Sequence, residues 1–366
     1  MSKIKKIRSA LISVYDKENL EPIIKKLDEL NIKIYSTGGT QNFIEQSGIK
    51  SKAVEKVTNY PSIFSGRVKT LHPKIFGGIL ARRDYTEDQK EIDEYEIPEI
   101  DLVIVDLYPF EKTVAQSDSE SEIIEKIDIG GISLIRAAAK NYNDVVVIPS
   151  KEQYKDLMSI LEEKHAETSL EERKNLALEA FDVSSHYDTI IFRHFNKNNE
   201  KLTFKASQNK ATILRYGENP HQGGVFYGDL EALFDQLHGK QISYNNLIDI
   251  DAAVHLINDF DPGTFAVLKH NNPCGISTRD NLKEAWKDAL SGDPVSAFGG
   301  VLVTNSKVDK ETAEEINKIF FEIIIAPAYS DGALAILKQK KNRIILIQKR
   351  ACSGKKQFRS VLNGVL

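Results

Sequence analysis

The chain has 366 residues, enough for two or three domains. Its hydrophobic share of 41% and charged share of 28% are ordinary for a soluble protein. Its 49 basic and 53 acidic side chains leave a net charge of −4, so no general attraction to nucleic acid is expected. Cys274 and Cys352 lie too far apart for a Cys-x-x-Cys site or a disulfide framework, and a reducing cytoplasm fits. The apolar run Ala10 to Val14, behind a basic N-terminus, is shorter than the ~7–15 residues of a secretory core. No stretch approaches the ~18 apolar residues of a membrane span, so no membrane partner is expected.

In chain order, the first 150 residues alternate strand and helix patterns. Ala10 to Val14 reads as a buried parallel strand. Asp16 is placed to cap a helix whose apolar positions are Leu20, Ile23, Ile24, Leu27 and Leu30. Ile32 to Tyr35 is the next strand. Ser36-Thr37-Gly38-Gly39-Thr40 then turns into a helix ended by Gly48. A strand, a Ser/Thr/Gly turn and a helix N-terminus suit a phosphate, although many such turns are only turns. Residues 65–78 pack Arg67, Lys69, His72 and Lys74 among Gly66, Pro73, Gly77 and Gly78. This stretch reads as a cation-bearing loop, either an anion site or a solvated surface loop.

Ile100 to Val105 is the clearest buried strand, and it ends in Asp106-Leu107-Tyr108-Pro109. Ligands of open α/β sheets sit at such carboxyl ends, where Ser13 and the Ser36–Thr40 turn also fall. Tyr108 reads equally as an edge-packing aromatic. Asp128-Ile129-Gly130-Gly131 opens a helix over 132–141, with Arg136 and Lys140 on one face. Asp128 and Lys140 also have plain roles as helix-end charges. A strand near 144–148 and helices over 152–165 and 170–195 follow, the second leading out of the first domain.

Beyond Lys201 the texture changes. Leu214 to Gln222 is polar and turn-rich, and a helix is expected from about Asp251 to Asp259. The strand Thr264 to Leu268 runs into Lys269-His270-Asn271-Asn272-Pro273-Cys274-Gly275. A Lys-His pair there is a candidate for proton transfer. Strand neighbours face opposite ways, so both serve one site only if the strand ends or bulges. Cys274 reads as a packed residue rather than a nucleophile.

Several blocks together resemble a known family, the bifunctional AICAR transformylase and IMP cyclohydrolase of purine biosynthesis. They are Ser13-Val14-Tyr15-Asp16-Lys17, Ser36 to Thr40, Gly66 to Pro73, Asp106 to Phe110, Asp128 to Gly131 and Arg136 to Asn141. Leu214 to Gln222, Lys269 to Gly275 and Ser296 to Gly300 continue the match in order.

The resemblance implies an α/β protein. A methylglyoxal-synthase-like cyclohydrolase domain with a three-layer parallel sheet would span 1–150. A helical connector would span 151–200, and the first part of a cytidine-deaminase-like transformylase domain 201–366. The cyclohydrolase closes formyl-AICAR to IMP and water. The transformylase moves a formyl group to AICAR from 10-formyltetrahydrofolate, a folate co-substrate, and no metal is needed for ring closure.

The same resemblance implies catalytic roles for Lys69, Tyr108, Asp128 and Lys140 in ring closure, and for Lys269 and His270 in formyl transfer. Substrate contacts would come from Ser13, Tyr15, Asp16, Lys17, Thr37, Gly38, Gly39, Thr40, Arg67, Val68, Thr70, Val105, Asp106, Ile129 and Gly130. In the second domain they would come from Arg215, Tyr216, Gly299 and Glu322. Tyr15 stands where many relatives carry serine, and Glu322 where many carry aspartate. Family members run on for over a hundred residues, so this chain reads as C-terminally truncated. It is expected to keep the cyclohydrolase and to lose formyl transfer, and the full-length form to be a homodimer. The strand at Ile344 to Ile347 is expected to lack neighbours. The competing readings are a non-catalytic nucleotide-binding remnant and a methylglyoxal-synthase-like enzyme acting on a small sugar phosphate.

Overall fold

The computed structural model describes residues 4–198, 200–351 and 357–366. Cys352 lies outside them. The chain forms two compact units, Met1–Ser207 and Gln208–Leu366.

The first unit is built on five parallel strands in the order Lys52–Ala53, Lys33–Ser36, Ser9–Ser13, Leu102–Val105, Val146–Ile148. The three central strands are apolar because helices cover both faces. Ile12, Ile104 and Val103 are wholly buried among Ile23, Leu27, Ile135 and Leu157. Strand order reverses between Ser9–Ser13 and Leu102–Val105. Their carboxyl ends therefore flank a crevice, the usual ligand position in such sheets.

Three expectations change here. The Leu20–Glu29 helix is N-capped by Asn19 without a side-chain bond; Asp16 instead accepts the amide of Glu18 at 2.9 Å. The basic stretch is a loop only as far as His72. Pro73–Leu80 is a helix with proline in its first turn, where the missing N–H costs nothing. Gly78 is not punctuation: a Cβ there would lie 2.2 Å from the carbonyl of Pro98, so glycine lets the helix touch that segment. The helices Tyr154–Glu163 and Leu170–Phe195, expected as a connector, belong to the first unit. Arg173, wholly buried on the second, donates to the carbonyls of Tyr142 (2.9 Å), Thr168 (2.7 Å) and Asn143 (3.1 Å).

The second unit has a six-stranded mixed sheet. Its order is Phe234–His238, Ile344–Gln348, Ile323–Ala326, Val301–Thr304, Thr264–Lys269, Asn272–Thr278. The Ile344–Gln348 strand is therefore interior, paired on both sides, and the expected open edge is not there. Its missing neighbour is Phe234–His238, whose polar sequence gives no strand signal. The helix expected near Asp251 spans Tyr244–Ile257. It starts earlier because Ser243 and Asn246 form a reciprocal capping box. Among the described residues no helix is long and apolar enough to cross a membrane.

Candidate functional site

A cavity of about 690 Å³ opens at the crevice of the first unit. Ser13 and Asp106 reach it from the ends of their strands, and Thr37, Gly39 and Thr40 from the turn into the Gly38–Gln46 helix. The hydroxyls of that turn are already engaged. Ser36 donates to Ile12 O at 2.8 Å, Thr37 to Glu55 at 3.0 Å and Thr40 to Val14 O at 2.9 Å. Among the described residues no side chain caps the helix, so its first-turn N–H groups remain as donors for an anion.

Cations converge on the same space. Lys17 donates to the carbonyls of Val14 and Tyr15, both at 2.8 Å. Burial lowers its pKa, Lys69 adds to the effect, and Asp106 opposes it. The Lys69 ammonium lies 3.5 Å from where a Cβ on Gly38 would be, which puts it at the helix N-terminus. Arg67 also lines the cavity, paired with Glu125. Burial raises the Asp106 carboxyl, which accepts the amides of Tyr15 and, at 2.9 Å, Asp16. Asp106 thereby fixes the turn that carries Lys17.

Tyr108 and Asp128 line the same cavity. Burial, with the Asp128 charge second, pushes the Tyr108 phenol up. Burial likewise raises Asp128, against the amides of Gly131 (2.6 Å), Tyr108 and Ile132 and the charge of Lys69. An acid whose pKa is raised and a neutral phenol beside a fixed ammonium form a proton-handling set. Tyr15, Thr70, Ile129 and Gly130 complete the expected residues that line the cavity.

The other expected residues stand elsewhere. Asp16 is bound to Lys151 at 2.9 Å, and its carboxyl is held low by the Glu18 amide and then by Lys151. Val68 bridges Ile63, and Val105 is buried in the sheet. Gly38 adjoins the lining without being part of it. Lys140 is exposed at the far end of the Gly130–Lys140 helix, about 15 Å along the axis from the cavity. Lys140 does not line this cavity. Lys126, not anticipated, lies over the rings of Tyr15 and Tyr108 at 5.3 and 5.6 Å, and those rings meet edge to face.

The second unit has its own cavity, of about 570 Å³. Lys269 ends its strand, a bulge precedes it, and His270-Asn271 form the two-residue turn back to Asn272. His270 (φ 50°) and Asn271 (φ 65°) both take the left-handed conformation this hairpin turn needs. Strand end and turn bring Lys269 and His270 to one cavity, with Tyr216, Gly299 and Glu322. Lys269 donates to Phe298 O at 2.8 Å, and Glu322 accepts from Lys240 at 3.0 Å. Arg215 is not in the lining; its guanidinium lies 5.4 Å from the Tyr216 ring centre. Asp249, missed in the sequence, accepts the Asn271 amide at 2.9 Å, and burial raises its carboxyl. Burial also raises the Cys274 thiol, which packs on the core.

Comparison with known proteins points the same way. The MGS-like domain model matches residues 19–133 and the AICARFT/IMPCHase bienzyme model residues 138–366. A relative from Bacteroides thetaiotaomicron, described as "Bifunctional purine biosynthesis protein PurH", is 64% identical over 366 residues, covering 100% of this chain and 72% of the relative. Relatives with the same description from Acetivibrio thermocellus and Listeria welshimeri are each 44% identical. They cover 95% and 98% of this chain and 70% and 72% of their own lengths. The chain, an MGS-like domain followed by a bienzyme domain, therefore belongs to the AICARFT/IMPCHase bienzyme family of purine biosynthesis.

Proposed function

We propose that the first unit closes formyl-AICAR to IMP. The observation that carries this is the convergence of a free helix N-terminus, Lys17, Arg67, Lys69, Tyr108 and Asp128 on one cavity. The ribotide phosphate takes the helix amides, Lys17 and Arg67. The carboxamide nitrogen attacks the formyl carbon, a C–N bond forms, and the carbonyl electron pair moves to oxygen. Lys69 stabilises that oxygen. Asp128 takes the attacking nitrogen's proton and passes it to the oxygen. Tyr108 donates the second proton as that oxygen leaves as water, and the formamide nitrogen's proton, lost as the C=N bond forms, restores the phenol.

The direction of the Asp128 shift fixes a sign. Its carboxyl is raised, so it protonates at a higher pH than an ordinary aspartate as pH falls. Ring-closure kcat should decline on the acid side above the usual carboxylate range, near 4. Asp128→Asn should abolish that limb of the pH–rate profile along with most of the rate. A limb at an ordinary aspartate pKa would remove Asp128 as the base.

For phosphate recognition, Arg67→Ala should weaken IMP binding by up to about 1.5–3 kcal/mol. Glu125 competes for the same guanidinium, so Glu125→Gln should tighten IMP slightly. Calorimetry that finds Arg67→Ala unchanged would reassign Arg67 to the surface.

For the second unit we propose AICAR as the ligand, with His270 accepting the amine proton and Lys269 facing the developing oxyanion. When bound, 10-formyltetrahydrofolate supplies the formyl group. The chain spans 72% of its Bacteroides relative. The family resemblance implies that the remainder walls the folate site, which in the family also lies at a dimer interface. Formyl transfer by the 366-residue chain is therefore expected to be negligible, since positioning accounts for many kcal/mol of such a barrier.

Two assays separate the activities: AICAR with 10-formyltetrahydrofolate in one, formyl-AICAR alone in the other. Turnover is expected only in the second. Robust turnover in the first would overturn the division. None in the second would favour a nucleotide-binding remnant.

A further inference from the structure

The Leu170–Phe195 helix lies beyond residues 19–133, the span of the MGS-like match, yet it grips the segment that carries Asp128. Tyr187 projects from its middle and is 9% exposed. Its hydroxyl donates to the Lys126 carbonyl at 2.6 Å and accepts the Asp128 amide at 2.9 Å. One phenol thus ties together both ends of a three-residue segment whose Lys126 and Asp128 side chains line the cavity. Phe110 packs against the Tyr187 ring, with centroids 6.1 Å apart. Ser184 and His194 bond the same helix to Arg136 (3.4 Å) and Glu120 (3.3 Å).

The two bonds require a phenol that both donates and accepts. Burial, the largest cause, pushes Tyr187 up to about 12, so it stays protonated through the working range. Without the hydroxyl, the Asp128 amide and the Lys126 carbonyl lose their partner, and the carboxylate is free to drift from Tyr108 and Lys69. A displacement near 1 Å is enough to slow a positioned reaction severely.

We propose that Tyr187 is a positioning residue for ring closure, its hydroxyl fixing the 126–128 segment so that Asp128 meets the reacting atoms. The inference rests on the cyclohydrolase reading of the first cavity. It makes the long helix part of the catalytic unit rather than a connector.

Tyr187→Phe keeps the ring and removes only the hydroxyl. It should lower kcat for formyl-AICAR closure between about ten- and a hundredfold, with KM changed less than about twofold. Ser184→Ala, which removes a buried hydroxyl from the same helix, should leave kcat unchanged and so controls for lost stability. A Tyr187→Phe kcat within twofold of wild type overturns the proposal, as does an equal loss in Ser184→Ala. Hydrogen exchange of the Asp128 amide gives a readout independent of turnover: protected in the wild type, fast in Tyr187→Phe. If the wild type does not close the ring, the functional reading fails. The tether is then judged on exchange alone, and equal protection in both proteins overturns it.

Discussion

Lys69→Ala should lower ring-closure turnover by about 10²–10³, the loss seen when one preorganised oxyanion partner is removed. IMP affinity should fall by less than about tenfold, because the charge Lys69 answers exists mainly while the ring is closing. Its position supports this division. The ammonium stands at the N-terminal turn of the Gly38–Gln46 helix, and its charge also acts on Asp128. Backbone amides, Lys17 and Arg67 remain to hold the phosphate when Lys69 is gone. Its loss also removes a cation that favours ionised Asp128, so the acid limb of the variant should move up in pH. The check is a pair of measurements, single-turnover closure and IMP calorimetry. Equal losses in both would make Lys69 a binding residue.

Gly275→Ala should destabilise the second unit by about 1–3 kcal/mol, the cost of overpacking where backbone must move. A Cβ at Gly275 would stand 1.9 Å from the carbonyl of Ala289. That carbonyl belongs to the Leu282–Gly292 helix, which lies against the Asn272–Thr278 strand at glycine spacing. Relief requires the helix to back away from the sheet, drawing its own Trp286 off Phe265, whose rings pack 5.2 Å apart. Ring closure should survive, because among the described residues its cavity is lined only by those of the first unit. Guanidinium unfolding followed by Trp286 fluorescence should show an earlier transition in the variant. An unchanged midpoint would contradict this helix–strand spacing.

How far the sequence reveals the protein depends on the range of each signal. Strands buried on both faces, such as Leu102–Val105 and Thr264–Lys269, announce themselves as apolar runs. The charge-dense loop and the Ser/Thr/Gly turn are local patterns, and both reach the first cavity. Pro73–Leu80 misleads because Gly78 imitates a turn residue while serving as a spacer for Pro98. Lys140 stands apart from Asp128 because helix rise carries it away from the residues that open its helix. Tyr187 and Asp249 act through backbone groups 59 and 22 residues away, and no local pattern encodes such partners.

The strand order of the second unit has a bearing on biosynthesis. Among the described residues Phe234–His238 pairs only with Ile344–Gln348, so it emerges from the ribosome more than a hundred residues before its partner. At about 5–20 residues per second that is a wait on the order of ten seconds. Through that interval its hydrogen-bonding edge is unsatisfied, while the first unit's sheet, whose last strand is Val146–Ile148, has all its strands. Chaperone capture during translation should therefore concentrate on nascent chains longer than about 240 and shorter than about 350 residues.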